Sequence, residues 1–232
     1  MEARERATID DTHTRFLEAT ERLFIERGYD GTKIRAIAKL SNSNLGVLSH
    51  YWGSKRKLFN EVFERRLRPL QIEREKRFDE LERALARGKP VSIADVLRAQ
   101  IEPAFLMPGA DPSEAPRVRV LYGRALTDPS EEVVEAMAAI FRDSANQFFS
   151  LLKAVSPHID QTEFFWRANC VAGAFSFSES FTERLTRFID EDVSQTDWQA
   201  AADQVINFLA AGMAAAPAQN TSVRSKAKMR RA

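Results

Sequence analysis

This chain has little with which to do covalent or metal chemistry. It holds one cysteine and three histidines among its 232 residues. Cys170 alone excludes an internal disulfide, and His13, His50 and His158 are too scattered to read as zinc ligands, so neither metal nor cofactor is expected. No G-x-S-x-G, Walker loop, G-x-G-x-x-G or H-E-x-x-H occurs, and the thiol lies in an apolar helical stretch where it is inert, which argues against an enzyme. Nine glycines and nine prolines are few, and alternating β-branched runs are missing, so no strand is expected. The longest uncharged stretch, residues 204–223, is interrupted by Asn207, Pro217, Gln219 and Asn220, which makes it a poor membrane span. The first residues are charged and lack the apolar segment of a secretory signal. A cytoplasmic, all-α protein without a membrane partner is the expectation.

What is present suffices for a sizeable core: 44% of the chain is hydrophobic and 29% charged. The net charge of +1 hides a segregation. Residues 1–60 carry 11 Lys/Arg against 8 Asp/Glu, residues 217–232 carry 5 against none, and the intervening stretch therefore sums to −7. A polyanion would be drawn to an end of this molecule and repelled by its middle.

Periodicity divides the chain into helices joined by short turns. A first helix over about 11–27 places Phe16, Thr20, Leu23 and Phe24 on one face, and Gly28 ends it. Thr32 is placed to cap a short helix carrying Ile34, Ile37 and Ala38 that ends near Leu40. A third spans about 44–52. Ser54 and Lys55 open a long fourth helix reaching toward Arg87, with a stripe of Phe59, Val62, Phe63, Leu67, Leu70, Phe78, Leu81 and Leu85. Pro69 lies within it and should kink or split it, as a hinge or as a plain structural break. Ser92, Pro116, Ser130 after Asp128-Pro129, Asp160–Thr162 and Thr196 mark at least five further helices. The stretch from Pro217 is polar and basic, with too little apolar content to pack, and reads as a disordered tail.

The two short helices around Ser41-Asn42-Ser43 form a helix-turn-helix candidate, whose second helix would enter the major groove of double-stranded DNA. At 100° per residue, Leu45, Leu48 and Trp52 fall within an arc of about 60° and face the core. Gly46, Val47 and His50 point outward, flanked by Asn44, Ser49 and Tyr51. That outer face is small, polar and aromatic, as a groove requires. Asn44 serves as helix cap, as DNA contact, or as both. Val47 suits a thymine methyl, His50 a phosphate or base edge, and Tyr51 a phosphate. Lys33, Lys55, Arg56 and Lys57 bracket the segment, although Arg56 and Lys57 equally suit a solvated face.

The run from Phe16 to Phe59, with L-F-x-E-x-G-Y-x-x-T, Ile37-Ala38, Gly46, Leu48, His50-Tyr51, an aromatic at 52 and Ser54-Lys55, resembles the DNA-binding domain of TetR-family repressors. The resemblance implies a helix-turn-helix domain over 1–54, a helical ligand-binding and dimerisation domain over 55–216 and the tail over 217–232. It also implies phosphate contacts at Thr32, Tyr51 and Lys55, and base-reading positions at Val47 and His50. Asn42 stands where the family has a turn glycine and tolerates the left-handed conformation. Ser43 replaces a small apolar anchor, Leu45 a polar residue, and Ser49 a phosphate-binding tyrosine. Leu45, placed in the core by the wheel, would compensate for Ser43.

Residues 162–188 carry two apolar stripes: Phe164, Ala168, Val171 and Phe175 on one side, and Trp166, Cys170, Ala174, Phe177, Phe181 and Phe188 on the other. One side suits the protein's own core and the other either more core or a second copy. With Trp198, Ala202, Val205 and Leu209 from the last helix, they suggest a four-helix homodimer interface. Phe105, Met107, Tyr122, Phe141, Phe148, Phe149 and Trp166 are candidates for an apolar effector pocket. Arg124 would either anchor an acidic ligand there or pair with Asp128. The segment after Leu121 resembles TetR-type regulators tied to fatty-acid or acyl-CoA metabolism. Leu45→Lys is expected to destabilise the domain if Leu45 is core.

Overall fold

The computed structural model describes residues 2–185, 188–189 and 197–216, with 2–10 and 179–185 described by backbone alone. The tail over 217–232 and the Thr196 helix marker lie outside the described residues. Within them the chain forms helices and no strand: α1 (Glu2–Gly31), α2 (Ile34–Leu40), α3 (Gly46–Tyr51), α4 (Lys55–Ala86), α5 (Ile93–Leu106), α6 (Ala115–Thr127), α7 (Glu131–Ala154), α8 (Gln161–Leu185) and α9 (Trp198–Ala214).

Local chemistry accounts for most of these boundaries. Ser54 accepts a hydrogen bond from Lys57 N–H at the start of α4, and Ser92 and Asp95 form a reciprocal capping box on α5. Pro116 occupies the first turn of α6, where no N–H is needed. Asp197, next to the expected Thr196, caps α9 through the N–H groups of Gln199 and Ala200. Two expectations need correction. The charged leader is already helical, so α1 begins at Glu2 and not near residue 11. Pro69 neither ends nor splits α4, which continues to Ala86 with no non-helical residue inside; the turn after α5 packs on the Pro69 ring through Gly109.

The core forms one cluster running from α1 to α9. The α4 stripe of Phe59, Val62, Phe63, Leu67, Leu70 and Phe78 is buried against α1, α5 and α7. Helix α9 lies along α5 and buries Ala202, Ile206, Leu209 and Met213, an i, i+4, i+7, i+11 stripe. Its first residue, Trp198, receives the Arg119 guanidinium 3.7 Å from its ring centroid and packs near Phe105.

Three helices are tied together by one buried carboxylate. Glu21 of α1 is 3% exposed and accepts from Arg66 Nε of α4 at 2.6 Å. Arg117 Nε of α6 lies 2.7 Å from its other oxygen but off the hydrogen-bond axis, so that contact is purely Coulombic. Removing Glu21 would leave two cations without their shared partner. Glu21→Ala is expected to lower stability by about 3 kcal/mol, read as a reduced urea midpoint at unchanged slope.

Candidate DNA-reading face and internal cavity

The turn between α2 and α3 is closed by backbone geometry. Asn42 takes the left-handed conformation, φ 51°. Its N–H donates to Lys39 O, and Ser43 N–H donates to Ala38 O at 2.9 Å, the paired bonds of a Schellman motif. Ser43 does not loosen the turn, because its hydroxyl donates to Ser41 O at 3.2 Å. The compensating role expected of Leu45 is therefore not needed, and Leu45 is 49% exposed. It stands just before α3 with helical dihedrals, φ −65° and ψ −25°, on a side that no core residue covers, which corrects its expected burial.

Aromatic rings hold α3 to α1. Trp52 is buried between His13 and Phe16, stacked at centroid distances of 4.8 and 5.4 Å. Its indole N–H donates to Glu61 Oε2 at 2.6 Å, and the other Glu61 oxygen meets His13 Nε2 at 3.0 Å. Tyr51 touches both His13 and His50 edge-on. Val47 and Leu48 pack partly against the core, which corrects the outward placement of Val47. What α3 and its approach leave exposed is Asn44, Leu45, Gly46, Ser49 and His50. The N-cap position of α3 is Leu45, and the side-chain oxygen of Asn44 lies over Gly46.

The basic bracket divides. Lys33, Arg35, Lys39 and Lys57 are exposed, whereas Arg56 pairs with Glu135 of α7 at 2.7 Å. Thr32 is fully buried and its hydroxyl donates to Gly28 O at 2.7 Å. It neither caps α2, where Lys33 is the cap, nor presents its hydroxyl to a phosphate. Lys55 Nζ donates to Tyr29 O at 2.6 Å and sits 3.9 Å from the Tyr29 ring centroid. Burial lowers its pKa from the ordinary lysine value, as expected for an ammonium held by protein instead of water.

This exit from α1 is also held from the far side. Gly28 has φ 69°, and a Cβ there would strike the Arg124 guanidinium and the Asp128 carboxylate. Asp128, at the end of α6, accepts from Tyr29 N–H at 3.1 Å and from Ser130. Arg124 Nε lies 3.9 Å from the same carboxylate. Arg124 thus belongs to this joint, the second of its two expected roles, and does not line the internal cavity.

A cavity of about 220 Å³ lies among α4, α5, α6, α7 and α8, lined by Tyr122, Met137, Phe141, Phe148, Phe175 and Arg74. Tyr122, Phe141 and Phe148 are where an effector pocket was expected. Phe105 and Met107 are buried at the end of α5 and do not line it, and Trp166 is 62% exposed on the far face of α8. Arg74 was missed, although its spacing four residues from both Leu70 and Phe78 placed it on the buried stripe of α4.

The second apolar side of α8 is uncovered: Trp166, Cys170 and Phe177 are exposed, and they continue to Phe208 of α9, 76% exposed. Trp166, Cys170, Ala174 and Phe208 line one open groove. Ala202 and Leu209, expected at an interface, face the protein's own core instead, while Trp198 and Val205 are only partly buried against it. The Phe181 side chain lies outside the described residues.

Leu45→Lys is now expected to change stability by less than about 0.5 kcal/mol, whereas Trp52→Ala should cost about 3 kcal/mol or more. Urea unfolding of both variants checks this, and a large loss in Leu45→Lys would contradict its exposed position.

Two family models match the sequence. Residues 16–62 match the bacterial regulatory proteins of the tetR family, and residues 98–212 match the tetracyclin repressor-like C-terminal domain. Solved structures share the fold at low identity. A hemolysin II transcriptional regulator, HlyIIR, is 20% identical, with 87% of this chain and 98% of that one covered at a TM-score of 0.54. The TetR family transcriptional regulator PfmR from Thermus thermophilus is 16% identical, covering 88% and 96% at 0.54. The fatty acid degradation regulator FadR from Bacillus halodurans is 14% identical, covering 88% and 97% at 0.51. No curated protein matches the chain significantly. With both halves matched and the helix-turn-helix in place, the chain belongs to the TetR family of transcriptional regulators, with an N-terminal DNA-binding domain and a C-terminal helical domain.

Proposed function

We propose that this protein is a homodimeric repressor that binds double-stranded operator DNA through α3 and is released by a small, largely apolar effector held in the internal cavity. The observation that carries the DNA reading is the mounting of α3. A hydrogen-bonded turn on one side and the His13–Trp52–Phe16 stack on the other hold it rigidly, with Asn44, Gly46, Ser49 and His50 outward and exposed cations beside them. Lys33 and Lys57 suit phosphates, and His50 a base edge. Tyr51 is a further phosphate contact, and Val47 meets a thymine methyl with the part of its side chain that remains accessible.

The uncovered apolar side of α8 supports the dimer. Trp166, Phe177 and Phe208 form a contiguous exposed patch of the kind that marks an interaction surface, and a two-fold protein meets two half-sites of an operator. Residues 1–54 then act as the reading unit and 55–216 as the sensing and pairing unit. Effector binding shifts the dimer toward a geometry in which the two α3 helices no longer fit both half-sites, by no more than the ligand's differential affinity for the two states. A fatty-acid-related effector is in keeping with the likeness to a fatty acid degradation regulator. Such a protein works in the cytoplasm, where its DNA is.

Binding to the DNA upstream of its own gene is expected to fall steeply with salt, as counterion release requires. In His50→Ala, Tyr51→Ala it should lose about tenfold or more in affinity, on the scale of one or two base-edge contacts. Undiminished binding in that variant would sink this assignment of the reading face. Trp166→Glu, Phe208→Glu should sediment as a monomer; a persistent dimer would mean that the copies meet on another face.

A further inference from the structure

We propose that the effector is a small monocarboxylate whose carboxylate pairs with Arg74 and whose apolar body fills the cavity. The proposal rests on reading that cavity as the effector site and names the chemistry it selects. Arg74 is 1% exposed and brings a guanidinium, a fork of five donors with no acceptor, into the core. Its Nε donates to Gln100 O at 2.9 Å and its Nη1 to Tyr122 Oη at 3.0 Å, but Nη2 is buried without a hydrogen-bond partner. Both named acceptors are neutral.

The surroundings do not replace a counter-charge. The guanidinium carbon lies 5.5, 5.4 and 5.7 Å from the ring centroids of Tyr122, Phe141 and Phe175. Ring quadrupoles soften the desolvation of a cation, yet each is weak beside the loss of hydration of a full charge. Ion pairs elsewhere in this fold show the alternative: Arg66, Arg77 and Arg98 each meet two carboxylates. Arg74 meets none among the described residues, and it is the one that lines the cavity. Buried polar groups left unsatisfied call for a partner, and Arg74 lines a chamber whose other walls are largely apolar, with Met137, Phe141, Phe148 and Phe175 beside Gln100, Ser144 and Ser176.

Charge and volume then narrow the ligand. One guanidinium balances one negative charge; a phosphate monoester would bring a second charge and further oxygens to a wall with no other cation. About 220 Å³ equals the liquid volume of about seven waters. That admits the apolar body of a medium-chain or single-ring acid.

The test is calorimetry and thermal shift on the full-length protein with straight-chain acids of about four to about twelve carbons and single-ring aryl acids, each beside its uncharged amide. At neutral pH at least one acid is expected to bind about tenfold or more tightly than its amide and to weaken operator binding. Arg74→Met should erase the preference for the acid, and Arg74→Lys should keep part of it. Equal binding of acid and amide, binding by no acid of the series, or a melting temperature lowered in Arg74→Met with its acid preference intact would each overturn the proposal. Operator binding of the ligand-free protein is read in the same preparation. If it stands while every acid fails, this inference falls and the repressor reading survives; acid binding without operator binding gives the converse.

Discussion

Both polar groups of the Tyr29 peptide region are held from opposite directions, and the relation between the two halves of the molecule depends on this. The N–H donates to Asp128 at the end of α6, and the carbonyl accepts from Lys55 at the start of α4. Thr32 folds its hydroxyl back onto Gly28 within the same turn. Gly28 takes a conformation open to few other residues, against two charged side chains that leave no room for a Cβ. The chain therefore leaves α1 in one direction, and α2 and α3 take their place from it. A shift of α6 bears directly on the Tyr29 N–H, with no flexible linker between.

The reading helix is short, and six residues would not remain helical alone. Its order comes from neighbours. Trp52 inserts between His13 and Phe16, while Glu61 of α4 holds both the indole and the imidazole. The residues that position this surface are thus on α1 and α4, and the residues that would touch DNA are those left over once packing is satisfied. This separation lets the exposed face vary without disturbing the domain's stability.

Arg74 represents the opposite arrangement, a polar group that burdens the ligand-free fold. Replacing a buried cation by an apolar side chain of similar size is often neutral or stabilising, so its presence is better explained by binding than by packing. The neighbouring Gln71–Ser144 hydrogen bond, 2.6 Å between buried oxygens, shows that this wall of the bundle can satisfy polar groups internally.

From sequence alone, periodicity, capping residues and proline positions were enough for the helix order and the long α4, because these signals act within a few residues. The left-handed turn position was visible in Asn42, and the two-sided character of α8 in its two stripes. Tertiary packing decided what depends on residues distant in sequence. Leu45 was left exposed at the entry to α3 because no neighbouring helix covers it, and Thr32 was buried by the turn at Gly28. Arg124 was captured by Asp128 in the joint, which left Arg74, on the core stripe of α4, facing the cavity. Ala202 and Leu209 turned inward because α5 supplies their partner, and Phe208 and Trp166 were left outside. A helical stripe shows that a face is apolar; only the arrangement of the other helices determines what that face meets.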